Sequence, residues 1–197
     1  TGKMYPFTKK DNGGDLVETA FLIQGLLTVS EYFDSDDNKE QHLRSKIDKL
    51  WKEVEWDWYT KNNEDVLYWH WSPEYNWEMN FPVGGYNECL IMYVLAASSP
   101  THPINKSVYD KGWARNGNIV SKDSMYNLPL VLDYFEHNDA AVGPLFWSHY
   151  SYLGLNPNGL TDQYADYWKL TQNHAKIHYE YAIDNPKHFK GYGDSLW

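Results

Sequence analysis

A chain of 197 residues with a formal net charge of −10 is long enough to bury one real core. Its acidity argues against a nucleic-acid partner, which would call for a basic patch or stripe. Aromatic residues make up 17 %, with ten Trp and seventeen Tyr; such rings pair a flat apolar face with a polar tip and suit sugar faces and protein interfaces alike.

The first predicted element is an almost wholly apolar helix over 15–33, entered through Asp11-Asn12-Gly13-Gly14-Asp15-Leu16-Val17-Glu18. A helix apolar all round is expected to be buried on every side. Gly25 within it reads as a mark of close packing. A second helix is expected at about 39–59, where Leu43, Ile47, Leu50, Trp51, Val54 and Trp58 recur at three/four spacing among charges. Residues 66–81 alternate aromatics around a Pro/Asn turn and read as a short aromatic hairpin or loop. A second apolar helix is expected over 86–98, entered through Gly84-Gly85-Tyr86-Asn87-Glu88 and stopped by Pro100 and Pro103. Glu88 then lies one turn into that helix. Cys89, the single cysteine, excludes an internal disulfide and a cysteine-based metal site, and in this apolar setting it reads as a small buried hydrophobe.

Further helices are expected at 104–112, 127–136, 143–152 and 162–184. A Gly/Asn-rich loop at 112–121, a turn at 156–159 and a closing loop from 186 separate them. No apolar run reaches the ~18 residues of a membrane span. The opening on Thr-Gly-Lys-Met and the stop on Trp197 are what a fragment or processed piece would show. Inner apolar helices alternating with outer amphipathic ones point to an all-α toroid whose inner-helix loops form a cleft, with 1–197 belonging to one domain; an irregular helical bundle is the alternative.

Carboxylates at the mouths of two apolar helices are costly unless paired, hydrogen-bonded or put to use. Asp15 and Glu18 are three apart at a helix start, the spacing of a capping box. Asp11 adds a third acid, and Gly13 and Gly14 let the backbone fold it back over the helix end. Crowded carboxylates raise one another's pKa while helix N–H groups pull the other way. One protonated and one ionised acid is what glycoside hydrolysis needs. Glu88 reads either as a helix-dipole partner or as an acid opposing that cluster across a bound sugar. Trp69, His70, Trp71 and Trp77 read as a sugar-stacking platform or as a hydrophobic brace. No His-Glu-x-x-His, P-loop, Gly-x-Ser-x-Gly or dinucleotide fingerprint occurs, so neither metal nor cofactor is expected. Asp34-x-Asp36-x-Asn38 fails as a calcium loop, because Lys39 and Ser45 stand where glycine and the closing acid belong.

Five motifs, in order, resemble those of the bacterial glycoamylase-like proteins, a group that includes the endo-β-1,2-glucanases of glycoside hydrolase family 144. They are the stretch from Asp11 to Phe21, Trp56-Asp57-Trp58-Tyr59, Tyr68-Trp69-His70-Trp71-Ser72-Pro73, Gly85-Tyr86-Asn87-Glu88, and Ala96-Ala97-Ser98-Ser99-Pro100-Thr101-His102. The match is densest over 11–113. The resemblance implies an (α/α)6 barrel and endo-acting, inverting, metal-free hydrolysis of β-1,2-glucan. It places the essential acids on Asp11, Asp15, Glu18 and Glu88. The candidate substrate contacts are Trp69, His70, Trp71, Trp77, Tyr86, Asn87 and His102. The family's catalytic domain is about twice this length, so the chain would cover roughly half of the barrel and the remaining half would be its partner. A polymeric substrate implies a periplasmic or cell-surface location. Two other readings stay open: hydrolysis of another glucan, as a glucoamylase-like enzyme, and a non-catalytic glycan-binding helical module.

Overall fold

The computed structural model describes residues 7–133 and 142–195. Helix α1 spans Leu16–Tyr32. Asp15 starts it in extended conformation, its carboxylate accepting the Glu18 N–H. Leu16, Val17, Ala20 and Ile23 are buried along one face, and each large apolar side chain buried there stabilises by ~1.5–3 kcal/mol. The opposite face is open: Leu22 is 60 % exposed. An added Cβ at Gly25 would meet nothing within 4 Å. Neither the all-round burial nor the close packing expected for this helix holds among the described residues.

Helix α2 spans Asn38–Glu53 and is amphipathic, with Asp37 capping the Lys39 N–H. It ends earlier than the apolar spacing predicts. Val54 turns extended so that Trp56 can enter the core, where it is fully buried and meets the Trp51 ring at 5.9 Å. A 3₁₀ turn, Asp57–Thr60, follows.

The aromatic segment does close on itself, through β2 (Leu67–Tyr68) paired antiparallel with β4 (Pro82–Val83). Its middle does something the alternation did not announce. Strand β3 (His70–Trp71) pairs with β1 (Gly14–Asp15), placing His70 opposite Asp15.

Helix α3 spans Leu90–Ser98, four residues later than expected. The backbone before it is committed elsewhere: the Gly85 N–H donates to the Trp113 carbonyl and the Tyr86 N–H to that of Asp133. Glu88 therefore lies just outside the helix rather than one turn within it. Buried Tyr93 stitches α3 to the strands, its hydroxyl donating to the Val83 carbonyl and accepting the Leu67 N–H. Helix α1 packs against both α2 and α3, and Leu16, Val17, Ala20, Leu90, Tyr93, Trp56 and Trp113 share one core.

The region expected as helix 104–112 forms a π-helical turn, Val108–Trp113. No helix occupies the described part of 127–136. Strands β5 (Ser124–Met125) and β6 (Leu128–Pro129) form a hairpin whose two central residues, Tyr126 and Asn127, both have positive φ, the geometry of a type I′ turn; residues 134–136 of that expectation lie outside the described residues. Helix α4 (Leu145–His149) runs into a 3₁₀ turn, Tyr150–Leu153. Helix α5 spans Tyr167–Asp184. It starts later than expected because Asp162 accepts the N–H groups of Tyr164 and Ala165 in a turn of its own, leaving Asp166 as the cap.

Candidate active site

The site grows from the junction of β1 and α1. One Asp15 carboxylate oxygen accepts the Glu18 N–H at 2.9 Å, and the other accepts the Trp69 indole N–H at 3.1 Å. The Leu16 N–H donates to the Trp69 carbonyl, so strand and helix are locked together around this acid. His70, opposite Asp15 in the register, brings its Nε2 within 3.7 Å of both Asp11 Oδ2 and Asp15 Oδ2. Its ring stacks on Trp69 with the planes 10° apart, and its Nδ1 is buried without a hydrogen-bond partner. Fully buried Ser72 donates to Asn12 Oδ1 and holds the preceding loop.

The glycines of this loop are required by close approach. A Cβ on Gly13 would lie 2.1 Å from the Trp71 carbonyl oxygen, and one on Gly14 would lie 2.1 Å from the Tyr59 hydroxyl. Burial and the charge of Asp15 push the Tyr59 phenol up to about 12, so it stays a hydroxyl beside the acids.

Glu18 makes no return bond to the Asp15 N–H, so only half of a capping box is formed. Its carboxylate acts on Glu88 instead. Burial, then the Glu18 charge, push the half-buried Glu88 carboxyl above its ordinary value, against a backbone hydrogen bond that lowers it. The buried Cys89 thiol, at the start of α3, is pushed well up by burial and then by the charges of Glu88, Asp15 and Glu18. Ser151 fixes that start, donating to the Glu88 carbonyl and accepting the Ile91 N–H.

The remaining candidates divide. Trp71 and Trp77 pack on Trp58 at 5.2 and 4.8 Å, and Trp77 also meets Tyr59 and Tyr68. That cluster braces the β3 segment while leaving Trp58 43 % exposed. Tyr86 is fully buried, its hydroxyl 2.9 Å from that of Tyr152. Asn87 is buried and accepts the Cys89 N–H. These two shape the entry to α3 and present little surface. His102 lies past the C-terminal end of α3, with Nδ1 3.1 Å from Asp57 Oδ1. Among the described residues no group of three His, Cys, Asp or Glu side chains could hold a metal ion, and no helix is long and apolar enough to cross a membrane.

Sequence reasoning gave no role to Tyr59, Phe81 or Ser151. Tyr59 stood in a quoted motif, which was a usable signal. Phe81, whose ring meets Trp69 at 5.5 Å, and Ser151, 63 residues from Glu88, join the site through contacts that no local spacing encodes.

Among the described residues the scaffold is mostly helical without a closed sheet, and it carries acids at the mouths of its apolar helices. The Glycoamylase family model, described as "putative glucoamylase", matches residues 80–197, and the chain belongs to that family. It is 43 % identical, over its whole length and 29 % of the relative's, to an exo β-1,2-glucooligosaccharide sophorohydrolase (non-reducing end) from Parabacteroides distasonis. It superposes on an endo-β-1,2-glucanase from Chitinophaga pinensis, solved with sophorotriose and glucose, with a TM-score of 0.91 and 58 % identity over 98 % of this chain and 46 % of that one. A structure from Bacteroides caccae described as a putative glucoamylase gives a TM-score of 0.91 and 52 % identity, with the same coverage. The chain thus spans about a third to a half of the length of these relatives, and its fold is that of the corresponding part of the glucanase toroid.

Proposed function

We propose that this chain supplies the acid-bearing part of a glycoside hydrolase that cleaves β-1,2-linked glucan, endo-acting and with inversion, and that the rest of the toroid completes its cleft. The observation that carries the reading is the asymmetry between two sets of acids. The Glu88 carboxyl is half-buried and pushed upward beside Glu18, the environment of a proton donor. Asp15, with Asp11 nearby, accepts two N–H groups and sits against His70, which holds its carboxyl group in place. Glu88 would protonate the glycosidic oxygen as the bond breaks, while one of Asp11, Asp15 or Glu18 would orient or deprotonate the attacking water, directly or through the sugar. Relatives named β-1,2-glucanase and β-1,2-glucooligosaccharide sophorohydrolase support this substrate.

The test is reducing-sugar release by the protein carrying the whole domain, compared on β-1,2-glucan and starch. Release from β-1,2-glucan is expected, and release from starch alone would overturn the reading. Products of mixed length would mark endo action, and the anomer released first, read by NMR, would decide inversion. A polymeric substrate is met outside the cytoplasm, so a periplasmic or cell-surface location belongs to the same proposal and is checked by fractionation.

A further inference from the structure

Beyond His70, on the side away from the acids it faces, lies a concavity of about 540 Å³ between the β2–β4 strands and the π-helical turn, within the size range of small-molecule sites. Phe81 links it to the acid cluster. Its ring meets His70 at 6.3 Å on the acid side, lines the concavity on the other, and is 42 % exposed. The floor is built from glycines held too close for side chains: a Cβ on Gly84 would lie 2.7 Å from the Gly112 carbonyl oxygen.

Arg115 also lines the concavity. Its guanidinium lies over Gly85, where a Cβ would come within 3.1 Å of it, and its Nε is buried without a partner. Among the described residues it makes no ion pair. Its backbone holds φ at +50°, followed by Asn116 at +55° and Gly117 at +88°, a run of left-handed residues that L side chains rarely adopt. The other charges in the concavity are already committed. Lys111 pairs with Asp65 at 2.8 Å, and Glu64 accepts the Tyr68 hydroxyl. One uncommitted planar donor set lining the same concavity as an aromatic ring, among charges that cancel in sign, suits a neutral polyhydroxyl ligand rather than an anion.

We infer that this concavity is a sugar-binding subsite that extends the acidic cleft, with Phe81 stacking on one face of a glucosyl unit and the Arg115 guanidinium donating to its hydroxyls. The inference rests on the proposed glucan hydrolysis, because a subsite next to the pair that flanks the scissile bond is useful only to a chain of several units. Binding there anchors long substrates and adds nothing for those held only across the scissile bond.

The test is Arg115→Met in the protein carrying the whole domain, with KM and Kd measured for a β-1,2-linked trisaccharide and for the long polymer. KM and Kd for the polymer should rise about tenfold more than those for the trisaccharide, the scale of one or two lost hydrogen bonds. Losses equal at both lengths would overturn the subsite and leave Arg115 a structural residue, as would no loss at either. If Arg115→Met fails to fold, Arg115→Lys carries the test. It keeps the charge and the stem but loses the planar fork, and the same length-selective loss is expected. Polymer binding that depends on Arg115 in a protein that cannot cleave β-1,2-glucan would retain the subsite and sink the hydrolase reading. Cleavage with a length-independent defect would do the reverse.

Discussion

The chain writes Gly-Gly followed by an acid twice, and the fold answers differently each time. At Gly13-Gly14-Asp15 the glycines admit the β3 backbone and the Tyr59 hydroxyl, and the acid becomes a helix cap held by two N–H donors. At Gly84-Gly85 the glycines admit the Gly112 carbonyl and the Arg115 guanidinium. The acid that follows, Glu88, stops short of the helix with its carboxyl pushed upward by burial and by Glu18. In both copies the glycines answer to close backbone approach. The chemistry of each acid comes from which distant groups surround it.

If that contrast carries catalysis, Glu88→Gln, which keeps shape and removes the proton, should lower kcat on β-1,2-glucan by ~10²–10⁴-fold, the usual contribution of a positioned acid. Near-normal turnover would take the proton-donor role from Glu88. Stability should break the comparison on the other side. Gly13→Ala forces a Cβ to 2.1 Å from the Trp71 carbonyl oxygen and 2.9 Å from Ser72 Cα, both backbone, and should cost about 3 kcal/mol as overpacking, read by urea unfolding. Gly25→Ala, within α1 and facing open space, should instead stabilise by roughly 0.5–1 kcal/mol; destabilisation there would mean that the outward face of α1 is covered in solution.

The smallest effect is a pH dependence. The folded state raises the Glu88 carboxyl above its unfolded value, so it binds the proton more tightly than the unfolded chain does. Burying the ionised form is unfavourable above the raised value, and that penalty fades as pH falls through it. Glu88→Gln should therefore unfold at a higher temperature than the unaltered protein at neutral pH. The gain should vanish below the unfolded carboxylate value. A gain that is constant with pH would assign it to packing instead of charge.

Much of the helical frame was legible in local signals. The start of α1 followed from Asp15 before an apolar run, and its end fell within a residue of expectation. What escaped was set at long range. The backbone ahead of α3 is held by Trp113 and Asp133, which no window around Gly85 contains. The β5–β6 turn uses Tyr126 and Asn127 at positive φ without the glycine that usually announces such a turn. The positions of Asp11, Asp15, Glu18 and Glu88 could be read from the sequence, but the difference between their surroundings could not. His102 was offered as a substrate contact, and the structure gives it Asp57 as a partner past the C-terminal end of α3.

The two-residue pairing of β1 with β3 sets when the site can exist. Asp15 and the Trp69 that binds it are 54 residues apart, and closing a loop of that size opposes folding by on the order of 3 to 4 kcal/mol before any contact rewards it. Helix α1 can form locally, but its capping acid finds its indole and imidazole neighbours only after α2 has folded back and β3 has docked. The Asp15 half of the site is thus expected to form late in folding, and quenching of Trp69 by a label near Asp15 would time the maturation of that half rather than the appearance of helix.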